Sequence, residues 1–109
     1  MHSVLETPVF TRRADALLSE DDRADLISTL AADPQAGDLI PGLGGIRKLR
    51  FAPAGRGKSG GLRVIYYVAT ETLPIYALLI YGKNEQSNPT PDQRKAMLRL
   101  VAELKAALR

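Results

Sequence analysis

Basic residues are concentrated in one stretch of this chain, and their side chains are of the types that bind phosphate. The segment from Ile46 to Arg63 contains no acidic residue. Six of its positions are basic: Arg47, Lys48, Arg50, Arg56, Lys58 and Arg63. Like charges at this density repel one another, and a polyanionic partner is the usual reason for a protein to retain them. RNA and DNA are the commonest such partners, so this stretch is a candidate nucleic-acid site.

Charge is also divided unevenly between the two halves of the chain. Residues 1–45 carry three basic and eight acidic side chains, whereas residues 46–109 carry twelve basic and four acidic ones. The formal net charge of +3 conceals this asymmetry. Such a division indicates a nucleic acid, or an acidic segment of a partner protein, as the ligand of the basic half.

Several classes of protein are excluded by composition. The chain has no cysteine, which excludes disulfides, a thiol nucleophile and thiolate metal sites and fits a reducing cytoplasm. No apolar run reaches the roughly 18 residues that a membrane span requires, and the N-terminus lacks the pattern of a signal peptide. The length of 109 residues predicts a single domain over 1–109. We expect a cytoplasmic protein that needs no metal or other cofactor.

Hydrophobic periodicity and turn residues predict an α+β domain, with helices packed on one face of a small antiparallel sheet and the order β-α-α-β-β-β-α. Ser19, followed by three acidic residues, is typical of a helix start, and Thr90-Pro91-Asp92-Gln93 has the pattern of a capping box. The predicted strands are 4–10, 46–52, 62–68 and 73–82, and the predicted helices are 11–18, 20–32 and 90–109.

Alternation along the strands predicts a cationic face on this sheet. If Leu49, Val64, Tyr66, Leu78 and Ile80 face the core, the alternate residues face the other way. That second face then carries both cations and tyrosines: Lys48, Arg50, Arg63, Tyr67, Tyr81 and Lys83. Cations bind phosphates and exposed aromatic rings stack on bases, so the pattern favours binding of RNA or single-stranded DNA.

Three segments of the chain resemble the RelE/HigB superfamily of type II toxin–antitoxin toxins, on the HigB side. They are GDLIPGLGGIRKLRF (37–51), GRGKSGGLRVIYYV (55–68) and IYALLIYGKNEQSNPT (75–90), and they occur in the family's order. The resemblance implies a RelE-like fold and a ribosome-dependent endoribonuclease that cleaves mRNA and inhibits translation. It also implies the partners: the ribosome, mRNA and a HigA-like helix-turn-helix antitoxin, with operator DNA bound only through the antitoxin complex.

The resemblance assigns the catalytic positions to Lys48, Arg63 and Lys83. Further contacts with RNA or the ribosome are expected from Arg47, Arg50, Arg56, Lys58, Tyr67, Tyr81 and Asn84. The chain departs from the RelE pattern at Asn84, where many relatives have arginine. It also lacks a tyrosine that many relatives place near the start of the last helix.

The side chains at these positions suit RNA cleavage without metal. In that reaction the ribose 2′-OH attacks phosphorus and the 5′-oxygen leaves, so the site must move protons and stabilise negative charge. Arg63 suits charge stabilisation because a guanidinium matches phosphate geometry and stays protonated. Lys48 is the candidate base because neighbouring cations favour its neutral form. Lys83 is the candidate acid or transition-state clamp, and the single histidine, His2, is remote in sequence.

Two alternatives use the same face of the sheet. A noncatalytic RNA- or DNA-binding module would bind in a salt-dependent way without cleavage. A degenerate toxin would act only in a repressor complex with its antitoxin, and the departures at Asn84 and at the missing tyrosine keep this second alternative open.

Overall fold

The computed structural model describes residues 3–53, 61–70 and 74–107. In that part of the chain the elements in order are β1 (Val4–Glu6), α1 (Pro8–Leu17), α2 (Glu20–Ala32), β2 (Asp38–Leu39), β3 (Ile46–Phe51), β4 (Leu62–Val68), β5 (Ile75–Gly82) and α3 (Pro91–Ala107). The predicted α+β class and the predicted order of its elements are confirmed, and the short strand β2 is an addition. In the described residues no helix is both long and apolar enough to cross a membrane.

The first strand is shorter than predicted and the first helix begins earlier. Thr7 ends β1 because it caps α1: its hydroxyl oxygen accepts a hydrogen bond from the Phe10 amide at 3.1 Å. Pro8 then occupies the first turn of the helix, where its missing N–H costs nothing. The β-branched residues Val4 and Val9 therefore belong to different elements, although the sequence suggested one strand through both.

The sheet has the strand order β1-β5-β4-β3-β2. Strands β3, β4 and β5 form the predicted antiparallel meander. The sheet as a whole is mixed rather than antiparallel, because β1 pairs with β5 in parallel. β2 adds two residues on the far edge, where Asp38 pairs with Lys48 and Leu39 with Arg47.

Helices cover both faces of this sheet, which corrects the expectation that they share one face. On one face, Phe10 of α1 and Leu30 of α2 pack against sheet residues that include Val64. On the other face, Met97 and Val101 of α3 pack in a second cluster of buried residues. A sequence signal for this exists: β4 and β5 are nearly continuous apolar runs, as strands buried on both faces are.

An irregularity between β4 and β5 changes which way the side chains of β5 face. Ile65 pairs with Leu79 whereas Tyr66 pairs with Ala77, so Leu78 is an extra residue on β5. Such a bulge reverses the alternation beyond it. Leu78 consequently lies in the α3-side cluster and Ile80 in the cluster under α1 and α2. The prediction that Leu78 faces the same side of the sheet as Ile80 was therefore wrong.

An ion-pair network fastens α2 to β1 and gives a prediction about pH. Arg23 Nε donates to Glu6 Oε2 at 3.1 Å, and its other nitrogens reach Glu6 Oε1 and Asp15 Oδ1, both at 2.5 Å. The Arg23 hydrogen bond holds the pKa of Glu6 below its ordinary value of 4.5. A carboxylate with a depressed pKa stabilises the fold above its unfolded-state pKa and loses that effect as the pH falls through its folded-state pKa.

We therefore expect Glu6→Gln to lower the free energy of unfolding by about 1–2 kcal/mol at pH 7. The difference from the wild type should shrink as the pH falls below the ordinary value of 4.5. Urea unfolding at several pH values measures this. Glu103→Gln is the matched control, because Glu103 is exposed on α3 and its loss should matter little at any pH. An equal Glu6→Gln effect at pH 7 and pH 3 would contradict the network.

Candidate phosphate-binding site

Four basic side chains converge at one end of the three-stranded meander. Lys48 and Arg50 come from β3, Arg63 from β4, and Lys83 from the turn that follows β5. They line a cleft of about 350 Å³, hereafter the cationic cleft, together with Ser87 and Asn88. The structure thus brings the three residues of the sequence-predicted catalytic set to one place, and Arg50 joins them.

Strand register explains the convergence. Arg50 lies directly opposite Arg63 in the antiparallel ladder, so their side chains leave the sheet on the same face. Directly opposite residues have Cβ atoms about 5 Å apart. Lys48 lies two residues before Arg50 and shares its face at a spacing of roughly 7 Å. Lys83 reaches the same end because its amide donates to the Gly61 carbonyl, next to the start of β4.

This arrangement costs stability in the free protein. Like charges directly opposite one another on a sheet are destabilising, and here Arg50 faces Arg63. Within residues 3–53, 61–70 and 74–107 none of the four cations forms an ion pair, since the ion pairs there use Arg13 and Arg23. Among the described residues, no acidic side chain lines the cationic cleft. An anion with several oxygens, such as a phosphodiester, would relieve the repulsion.

Ser87 and Asn88 are site residues that the sequence analysis did not select. They belong to the segment between β5 and α3, and Asn88 Oδ1 accepts from Lys48 Nζ at 3.4 Å. The Tyr81 hydroxyl donates to the Ser87 carbonyl at 3.3 Å, which holds this segment over the sheet. Their sequence signal is only their place between Lys83 and the capping residue Thr90. Contact with β3 depends on the tertiary fold.

The predicted capping box fixes the far end of that segment. The Gln93 amide donates to Thr90 Oγ1 at 3.1 Å, and the Thr90 amide donates to Gln93 Oε1 at 2.9 Å. Gln86 Nε2 also donates to Gln93 Oε1 at 2.8 Å. The start of α3 therefore anchors the chain that closes one side of the cationic cleft.

Arg47 does not join the other cations. It alternates with Lys48 along β3 and so leaves the sheet on the face covered by α1 and α2. Its guanidinium donates to the Gly37 carbonyl at 2.7 Å. Asn84 is exposed in the turn after Lys83 and does not line the cleft. Arg56 and Lys58 lie outside the described residues.

Tyr67 and Tyr81 are core residues, which contradicts the expectation that their rings stack on bases. They are 4% and 0% exposed, in the cluster under α3. Burial raises the pKa of both phenols, and Arg63 offsets part of that rise for Tyr81. Both are therefore neutral at physiological pH and present no ring face to a ligand. Tyr66, predicted as core, is also 0% exposed, and its hydroxyl accepts from the Gly37 amide at 2.8 Å.

A clamp from α1 fixes the turn that carries Lys83. Arg13 Nε donates to the Ile80 carbonyl at 2.6 Å, and the same guanidinium pairs with the Glu85 carboxylate. Glu85 in turn accepts from the Gly82 amide at 3.2 Å and donates its own amide to the Gly82 carbonyl at 3.0 Å. The hydrogen bond from Arg13 lowers the pKa of Glu85, so the clamp is charged at neutral pH.

We expect Arg13→Gln to loosen this turn without unfolding the protein. The variant loses the exposed ion pair with Glu85 and the hydrogen bond to the Ile80 carbonyl, so the free energy of unfolding should fall by about 1–3 kcal/mol. Hydrogen exchange of the amides from Lys83 to Gln86 should become faster. The control is Arg12→Gln, one residue earlier on α1, where the side chain is exposed. Unchanged exchange in Arg13→Gln would show that the turn is held by its backbone hydrogen bonds alone.

Comparison with known proteins identifies the fold. No protein-family model matches the chain. Among solved structures, a variant of the Escherichia coli toxin RelE in the free state is similar, with a TM-score of 0.56. The match has 15% sequence identity and covers 79% of this chain and 87% of the RelE chain. At this identity the similarity concerns the fold, and the chain has a RelE-like fold.

Proposed function

We propose that this protein is the toxin of a type II toxin–antitoxin system and acts as a metal-independent, ribosome-dependent mRNA endoribonuclease. The observation that carries the proposal is the convergence of Lys48, Arg63 and Lys83, with Arg50, in a cleft whose described lining residues include no acid. The RelE-like fold supports it, because the similar solved structure is that of a toxin. The HigB-like motifs of the sequence support a toxin of the HigB subgroup, and with it a HigA-like antitoxin as the partner.

In the proposed reaction each cation has a separate task. Arg63 and Arg50 hold the phosphoryl oxygens of the scissile phosphodiester and stabilise the charge that builds on them. Lys48 accepts the proton of the attacking 2′-OH. Lys83 donates a proton to the leaving 5′-oxygen or clamps the transition state. None of the described residues that line the cleft is a histidine. Lysine and arginine are poor acid–base catalysts alone, so the proposal makes the ribosome responsible for placing mRNA in a reactive geometry.

The remaining parts of the proposal follow from this reaction. Residues 1–109 act as one toxin domain in the cytoplasm, where ribosomes and mRNA are found. A helix-turn-helix antitoxin of the HigA type neutralises the domain, and the toxin meets operator DNA only within that complex. Asn84 is still proposed to contact RNA or the ribosome, because its exposed amide lies in the turn beside Lys83.

The test compares mRNA cleavage with and without ribosomes. Purified protein should cut a defined message only when the message is programmed in ribosomes, and expression in cells should arrest growth. The triple variant Lys48→Ala, Arg63→Ala, Lys83→Ala should be folded and inactive. A wild-type protein that binds RNA in a salt-dependent way without cutting it on ribosomes would support the noncatalytic alternative instead.

A further inference from the structure

A second cleft adjoins the cationic cleft on the side of β2. It measures about 450 Å³, which is within the range of small-molecule sites. Lys48, Arg50 and Asn88 line both clefts. A ligand whose phosphate lies among the four cations can therefore extend past these shared walls into the second cleft.

The second cleft differs from the first because it contains a carboxylate. Asp38 lines it and is the only acidic residue among the described residues that line these two clefts. Asp38 lies opposite Lys48 in the ladder of β2 and β3, so the two side chains share a face of the sheet. Ile40 and Pro41 add apolar walls. Those walls suit the flat face of a base more than a second phosphate.

The Asp38 carboxylate keeps its acceptor capacity. In the described ranges 3–53, 61–70 and 74–107 its side chain has no hydrogen-bond or ion-pair partner, although Lys48 is its cross-strand neighbour. A free carboxylate beside a phosphate site opposes anion binding, so it needs a compensating role in recognition. Carboxylates accept hydrogen bonds from two adjacent N–H groups, and such pairs occur on the edges of bases.

Asn88 supplies a donor at the same place. A lysine ammonium can only donate, so the Asn88 atom 3.4 Å from Lys48 Nζ is the amide oxygen, Oδ1. The Asn88 NH₂ group then remains available as a donor. The second cleft thus combines a two-oxygen acceptor with an amide donor. The Watson–Crick edge of guanine has the complementary order, with donors at N1 and N2 beside the acceptor O6.

We propose that the second cleft is a guanine subsite, in which Asp38 accepts from N1–H and N2–H and Asn88 donates to O6. The base belongs to the nucleotide whose phosphate occupies the cationic cleft, so this inference rests on the proposed function and assigns base preference to that site. Adenine has an acceptor at N1 and lacks the N2 amino group. Its N1 lone pair would therefore face the carboxylate oxygens of Asp38 and be repelled by them.

Binding of free mononucleotides tests the subsite without the ribosome. Guanosine 3′-monophosphate and adenosine 3′-monophosphate are titrated into the wild-type protein, with amide shifts followed by NMR. We expect guanosine 3′-monophosphate to bind about tenfold more tightly than its adenosine counterpart, in line with one bidentate contact in an open cleft. Asp38→Asn should remove this preference and, because the carboxylate that opposes the phosphate and adenine N1 is lost, bind adenosine 3′-monophosphate at least as tightly as the wild type does. Asp25→Asn removes the same charge from exposed α2 and should change neither affinity.

The outcomes separate this inference from the nuclease proposal. Equal affinity for the two nucleotides, or a guanine preference that survives Asp38→Asn, overturns the subsite and leaves the nuclease proposal intact. A guanine preference in a protein that cleaves no mRNA on ribosomes supports the subsite and rejects the nuclease. Binding of neither nucleotide overturns the subsite and removes the support that the cationic cleft gives to the nuclease. Urea unfolding of Asp38→Asn confirms that the exposed substitution leaves the fold intact.

Discussion

Arg63→Ala is expected to lower the rate of mRNA cleavage on ribosomes by about 10²–10³-fold, the usual loss when a preorganised charge-stabilising group is removed. The same change should leave the free energy of unfolding unaltered or raise it by up to about 1 kcal/mol. The reason for the second expectation is that Arg63 lies directly opposite Arg50, and removing one of two facing cations relieves their repulsion. Activity therefore falls while stability is unchanged or rises.

A loss of cleavage at unchanged or higher stability distinguishes a binding site from a solvated charged surface. If the cations were merely a solvent-exposed face, Arg63→Ala would relieve the same repulsion without a loss of cleavage. Arg63→Lys keeps the charge and loses the planar guanidinium, so its cleavage rate should lie between that of the wild type and that of Arg63→Ala. Arg12→Ala removes an exposed arginine from α1 and should change neither quantity. Initial rates on a programmed ribosome and urea unfolding of the same preparations measure both effects.

The sequence was sufficient to predict the elements that carry the site. β4 was expected over Leu62–Val68 and has those bounds, because an apolar, β-branched and aromatic run lies between Gly61 and Ala69. α2 and α3 begin directly after Ser19 and Thr90 as expected, since both residues cap their helices through their side chains. Period-two alternation along β3 also separated Lys48 and Arg50 from Leu49.

Features that depend on contacts between distant segments could not be predicted in this way. The bulge at Leu78 leaves no local signature, yet it decides which side chains of β5 meet α3. β2 has only two residues, and its pairing with β3 is a tertiary contact that positions Asp38 beside Lys48. The return of Asn88 over the sheet is likewise fixed by the start of α3. The second cleft is made almost entirely of such features, which is why sequence reasoning found only the cationic cleft.

The tyrosines show how composition alone misled the prediction of the site. Tyrosine beside cations is typical of RNA-binding surfaces, but a phenol ring is also large and apolar and is often buried. Whether such a tyrosine binds RNA or lies in the core depends on what covers the second face of the sheet. Because α3 packs there, the ring of Tyr81 became part of the core while the cations at the end of the strands stayed accessible.

We accordingly expect Tyr81→Ala to lower the free energy of unfolding by about 3–5 kcal/mol, the usual cost of deleting a buried aromatic ring. Tyr81→Phe keeps the ring and loses the hydroxyl bond to the Ser87 carbonyl, which costs about 1 kcal/mol. Tyr76→Ala, on the same strand but only half-buried, should cost less than Tyr81→Ala. Urea unfolding of the three variants gives the order. If the ring of Tyr81 were instead exposed and stacked on bases, Tyr81→Ala would weaken RNA binding and leave stability unchanged. That result would contradict the burial of Tyr81 and return it to the binding surface.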